Sequence, residues 1–158
     1  MVRRPLFAAA AALALLAAHP AAAQDQSGPW TPLMTFGPGV VGREARPAVS
    51  GPDGLEVRII IAWRDPDDAA IGDYMLGRFL VNCDARQASA MEAVTMSLTE
   101  GELSRESRER PNWGDAAPGS PSAALIGVLC DGRMVQDGPL HADAAPFAAA
   151  ARRTPPAP

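Results

Sequence analysis

One segment limits the fold of this chain more than any other: Leu55-Glu56-Val57-Arg58-Ile59-Ile60-Ile61-Ala62-Trp63-Arg64. Leu55, Val57, Ile59, Ile61 and Trp63 recur at every second residue, the period of a strand; a helix would space its apolar residues three and four apart. The opposite side begins polar at Glu56 and Arg58 and turns apolar at Ile60 and Ala62, so this strand is expected to be partly covered on its second face too. Gly51-Pro52-Asp53-Gly54 before it is a strong turn signal, and Asp65-Pro66-Asp67-Asp68 ends it.

Two further segments read as strands beside it. In Asp73 to Cys83, Met75, Phe79 and Val81 face one way and Tyr74, Leu76 and Leu80 the other; in Gln87 to Thr99, Val94, Met96 and Leu98 alternate with Thr95, Ser97 and Thr99. Short connections between the three predict an antiparallel meander. Upstream, Trp30, Met34 and Phe36 are expected on one side of an extended segment, with Pro32 placing it at an edge. Glu100 to Gly119 is polar and interrupted by Pro and Gly, and reads as a long loop carrying Trp113. Ser120 is a good N-cap with Pro121 behind it, opening a helix with Ala124, Leu125, Val128 and Leu129 on one stripe and Gly132 as its stop. The expected architecture over residues 24–132 is therefore α+β, an antiparallel β-sheet of about four to six strands packed against a C-terminal α-helix. From Arg133 to Pro158 the chain is rich in Ala and Pro, and is expected to be a disordered tail with at most a short helix over Ala148 to Arg153.

The amino terminus reads as an export signal. Met1-Val2-Arg3-Arg4 is basic, Leu6 to Ala18 is apolar, and Pro20 precedes Ala21-Ala22-Ala23, the small residues of a cleavage site. The apolar run falls short of the roughly 20 residues that cross a bilayer. Residues 1–23 are thus expected to be a removed secretion signal, leaving a periplasmic, secreted or cell-surface protein with no stable membrane insertion. In such an oxidising compartment the pair Cys83 and Cys130 is expected to form a disulfide. No C-x-x-C pattern favours a redox or metal-binding thiol pair.

Composition excludes several functions. All 14 basic residues are Arg, and the two His are His19 and His141. Without lysine there is no Schiff-base or P-loop chemistry, and one His outside the signal cannot build a multi-histidine metal site. A net charge of −4 without a basic run argues against nucleic acid, whose affinity comes largely from neutralised phosphates. No cofactor is expected.

The remaining candidate chemistry is sparse. Asp65, Asp67 and Asp68 place carboxylates on one turn, as Ca²⁺ sites do, though without EF-hand spacing. Glu100, Glu102, Glu106 and Glu109 interleave with Arg105, Arg108 and Arg110, a pattern that serves a solvated, self-neutralising face more readily than acid–base catalysis. His141 lies far from any nucleophile elbow. Among Trp63, Tyr74 and Trp113, Trp63 continues an apolar strand face and reads as core, which leaves Trp113, in its Pro/Gly loop, as the better ligand surface. Arg86 either caps the strand end, pairs with Asp84 or meets a ligand.

Taken in order, Trp30, the strand Val57 to Trp63, Asn82-Cys83-Asp84-Ala85-Arg86, the hairpin strand after Arg86, Pro118-Gly119-Ser120 before a helix and the closing Cys130 resemble the surface-adhesin E family of secreted bacterial domains. The resemblance spans about Trp30 to Gly132. It implies a disulfide-linked antiparallel sheet packed on a helix, and binding of extracellular-matrix and plasma proteins, in the best-known member as a dimer. This chain lacks that member's lipobox cysteine and has no lysine for lysine-mediated capture. The function expected is therefore a non-enzymatic secreted or envelope domain with adhesin-like protein binding and Trp113 and Arg86 as candidate contacts. The alternative is a periplasmic small-molecule binding or stress-related domain.

Overall fold

A computed structural model describes residues 27–36, 39–64, 72–133 and 138–153. Its strands are β1 (Ser27–Phe36), β2 (Gly39–Glu44), β3 (Val49–Gly51), β4 (Gly54–Trp63), β5 (Tyr74–Asn82), β6 (Gln87–Ser97), β7 (Gly101–Ser107), β8 (Gly114–Asp115) and β9 (His141–Asp143); its helices are α1 (Pro121–Leu129) and α2 (Ala144–Arg153). All strands join one antiparallel sheet in the order β7-β6-β5-β4-β2-β1-β9, with β3 beside the start of β4 and β8 beside the start of β6. The sheet is larger than the four to six strands expected. Two of the additions carry almost no apolar signal: β7 is exposed along nearly its whole length and β8 has two residues. Hence Glu100 to Gly119, expected to be a loop, holds the sheet's edge strand β7 and the short β8.

The central strand explains the architecture. Ile60 and Ala62 of β4 pack into one core with Val40, Tyr74, Leu76, Val94 and Met96, while Val57, Ile59 and Ile61 pack into a second with Val41, Val81 and Ala88. A strand buried on both faces needs a cover on each. α1 supplies one through Leu125 and Ile126, and α2 the other through Ala144, Phe147, Ala148 and Ala151. α1 touches both β1 and β6, which lie on either side of the sheet's centre, so the sheet curls around it as a half-barrel.

Two expectations are corrected here. Trp30 does not share a side with Met34 and Phe36: the β1–β2 register shifts between Pro32 and Met34, and Trp30 joins the α2 core while Met34 and Phe36 join the α1 core. An extra residue in a strand reverses every side chain beyond it. Nor does the chain trail away after Gly132 throughout. His141–Asp143 pairs with β1, and α2 docks on the sheet with Phe147 2% exposed. Its buried stripe of Ala144, Phe147, Ala148 and Ala151 has helical spacing, yet three of its four members are alanine, so composition alone reads it as low complexity. The ring of Phe147 occupies the space left by Gly42, where a Cβ would lie 2.5 Å from the ring. The Asp73 carboxylate accepts hydrogen bonds from Arg152 and from the Leu98 amide, which ties α2 to the β4–β5 and β6–β7 ends of the sheet.

Candidate functional site

Antiparallel pairing decides which loops meet. Leu55 at the start of β4 lies opposite Val81 at the end of β5, so the β3–β4 turn and the β5–β6 turn fall at the same end of the sheet. β8 lies against the first residues of β6, with Gln87 opposite Asp115, and this brings Trp113 to that end too. Between the three segments is an open cleft of about 490 Å³, lined chiefly by Asp53, Leu55, Asn82, Cys83, Asp84 and Trp113, with Ser50 to Gly54 as its rim.

Each wall has a local cause. In the β3–β4 turn Gly51 pairs with Gly54, whose φ of +136° belongs to glycine; a Cβ there would lie 2.5 Å from the Val81 carbonyl oxygen. In the β5–β6 turn the Ala85 amide donates to Asn82 Oδ1 at 3.0 Å and the Arg86 amide to the Cys83 carbonyl at 3.3 Å, with Arg86 in the left-handed region at φ 54°. This turn is fastened twice to the end of α1. Cys83 and Cys130 form a disulfide with their Cα atoms 5.4 Å apart, and Arg86 grips Asp131 with both guanidinium arms at 2.8 and 3.1 Å. The paired guanidinium holds the Asp131 carboxyl below the usual carboxylate range, and Asp131 in turn raises Arg86. Gln87 Nε2 donates to Asp115 Oδ1 at 2.9 Å, holding β8 and the Trp113 segment to the same frame.

The structure sorts the sequence candidates. Trp113 is half-buried in the cleft wall. Arg86 neither lines the cleft nor pairs with Asp84; its partner is Asp131, 45 residues on. Trp63 is half-buried with its ring edge-on to Phe36 at 5.8 Å, and Tyr74, 1% exposed, is core, with its phenol pushed above the usual tyrosine value by burial. His141 meets Phe147 edge-on at 5.5 Å. Asp65, Asp67 and Asp68 and the signal of residues 1–23 lie outside the described residues. Among the described residues no group of three His, Cys, Asp or Glu is placed to hold a metal ion, and no helix is long and apolar enough to cross a membrane.

Glu102 and Arg105 belong to a separate feature. Arg78 bridges Glu56 at 3.2 Å and Glu92 at 3.9 Å, and Arg105 bridges Glu92 and, at 2.9 Å, Glu102, so alternating charges cross β4 to β7 on the sheet face that α2 leaves open. Charges so matched neutralise one another and are worth little individually at a solvated surface. Along β7 they also oppose the addition of another strand.

The residues that sequence reasoning missed are Asp53, Asn82 and Asp84. Their signal was present as turn chemistry in Gly51-Pro52-Asp53-Gly54 and Asn82-Cys83-Asp84, but only the strand register brings the two turns together. Comparison of the chain with family models, curated proteins and solved structures found no match.

Proposed function

We propose that the protein is a non-enzymatic, extracytoplasmic binding domain that engages an extracellular or envelope protein at the Trp113 cleft. One observation carries this reading: an aromatic side chain held in an open cleft whose walls are locked by a disulfide and a bidentate ion pair. Rigid walls lower the ordering cost of binding, and tryptophan is the residue type richest in interface energy. The disulfide supports an oxidising compartment. The resemblance to surface-adhesin E domains supplies the partner class. On the enzymatic side, Glu92 and Glu102 are each held by Arg105, which leaves them poorly suited to acid–base work.

The test is surface binding of the purified chain to a panel of immobilised extracellular-matrix proteins. Saturable binding that Trp113→Ala weakens supports the reading, and absence of saturable binding across the panel counts against adhesion. A second reading, a small-molecule binding domain, draws on the cleft volume, which lies within the ~300–1,000 Å³ of ordinary ligand sites. A small molecule co-purifying with wild type and lost from Trp113→Ala, seen by native mass spectrometry, would favour it.

A further inference from the structure

We infer that the cleft receives the cationic end of an arginine or lysine side chain presented by another polypeptide, an inference that rests on the cleft being the binding site. The first ground is uncompensated charge. Asp53 and Asp84 reach the cleft from different turns, and neither has a hydrogen-bonded or ionic side-chain partner among the described residues. No basic residue lines the cleft, and the neighbouring Arg86 has both arms committed to Asp131. Such a site repels anions and gains from a cation.

The second ground is the indole. Trp113 offers an aromatic wall beside the carboxylates, and tryptophan is the strongest aromatic partner for a guanidinium or ammonium group. The third is shape. Pro52 and Leu55 add apolar surface to the lining, which suits the methylene stem of arginine or lysine while the head reaches the carboxylates. An open cleft of about 490 Å³ holds more than a single head group and leaves space for the chain that carries it, which favours a polypeptide over a free cation. The net charge of −4 adds attraction at longer range.

The experiment is an NMR titration of the full chain, following the three tryptophan indole N–H signals, with that of Trp113 assigned from Trp113→Phe. The probes are the capped tripeptides acetyl-Gly-Arg-Gly-amide and acetyl-Gly-Lys-Gly-amide, with acetyl-Gly-Gln-Gly-amide as neutral control and methylguanidinium as free cation. The Arg and Lys peptides are expected to shift the Trp113 signal saturably, leaving Trp30 and Trp63 unmoved, and the Gln peptide to leave it still. Asp53→Asn and Asp84→Asn should each weaken binding about two- to five-fold, as for exposed ion pairs, and added salt should weaken it further. Both aspartates are exposed turn residues, and unchanged melting temperatures would confirm intact variants.

Equal response to the Gln peptide, no response to either cationic peptide, or full affinity in the double Asn variant would overturn the inference. Methylguanidinium binding as tightly as the Arg peptide would overturn the polypeptide source. A partner whose surface binding is lost in Trp113→Ala yet retained in the double Asn variant would remove the cation while leaving the binding-domain reading in place.

Discussion

Replacing Phe147 by alanine tests whether the C-terminal helix is part of the folded domain. The ring is 2% exposed and packs in the core that includes Trp30, Val40, Ile60 and Tyr74. An aromatic side chain buries roughly 150–250 Å², and at about 25 cal/mol per Å², less the part alanine retains, its removal costs about 3–5 kcal/mol. For a domain of this size that corresponds to a fall in Tm of about 10–20 °C. Urea and thermal denaturation of Phe147→Ala measure it directly. The contact with Gly42 provides an internal control. Gly42→Ala places a Cβ 2.5 Å from the Phe147 ring and 2.9 Å from Ile60 Cγ2, an overpacking expected to cost about 1–3 kcal/mol. In a Phe147→Leu background part of that cost should vanish, giving a coupling on the order of 1 kcal/mol. A loss below about 0.5 kcal/mol in Phe147→Ala, with no coupling to Gly42, would refute the docking of α2.

Further outcomes follow from the staples and the turns. Reducing the disulfide, or replacing both cysteines by serine, opens a link between residues separated by 47 positions and should lower stability by up to about 4 kcal/mol in urea denaturation; intact mass should show no free thiol before reduction. The Asp131 carboxyl is depressed in the folded state, so its contribution is present above the unfolded aspartate value of about 3.9 and is lost as pH falls through the lower folded value. Melting temperature measured from pH 6 down to pH 2 should therefore fall less steeply in Asp131→Asn than in wild type. Gly54→Ala forces a side chain into φ +136° against the Val81 carbonyl and should cost about 1–3 kcal/mol by thermal melting.

Much of the sheet was legible in the sequence because its signals are local. The alternation in Leu55 to Trp63 and in Tyr74 to Asn82 separates the two faces correctly, and Ser120-Pro121 marks the start of α1, with the Ser120 hydroxyl accepting from the Ala123 amide. The Cys83–Cys130 pair is joined as expected. What was not legible depends on register or on partners far away in sequence. The Pro32 bulge shows itself only against β2, and β7 has the composition of a loop because an exposed edge need not be apolar. α2 buries three alanines and Phe147, and the Phe147 ring fits only because a glycine stands about a hundred positions earlier. The cleft combines the two: Trp113 stands out in its Pro/Gly loop, but Asp53 and Asp84 become its neighbours only through the pairing of Leu55 with Val81 and of Gln87 with Asp115. Arg86 illustrates the limit: its neighbourhood in sequence leaves a strand-end cap, Asp84 or a ligand open, and its partner is Asp131, 45 residues on.

The most direct measurement of the binding account is amide hydrogen exchange of the chain alone and in complex with a matrix protein that it captures saturably. The account predicts new protection confined to residues 50–55, 82–86 and 111–115, the three segments around the cleft, with the exposed β7 edge at 101–107 unchanged. Protection on β7 or on the open charged face, with the cleft segments unaffected, would contradict it.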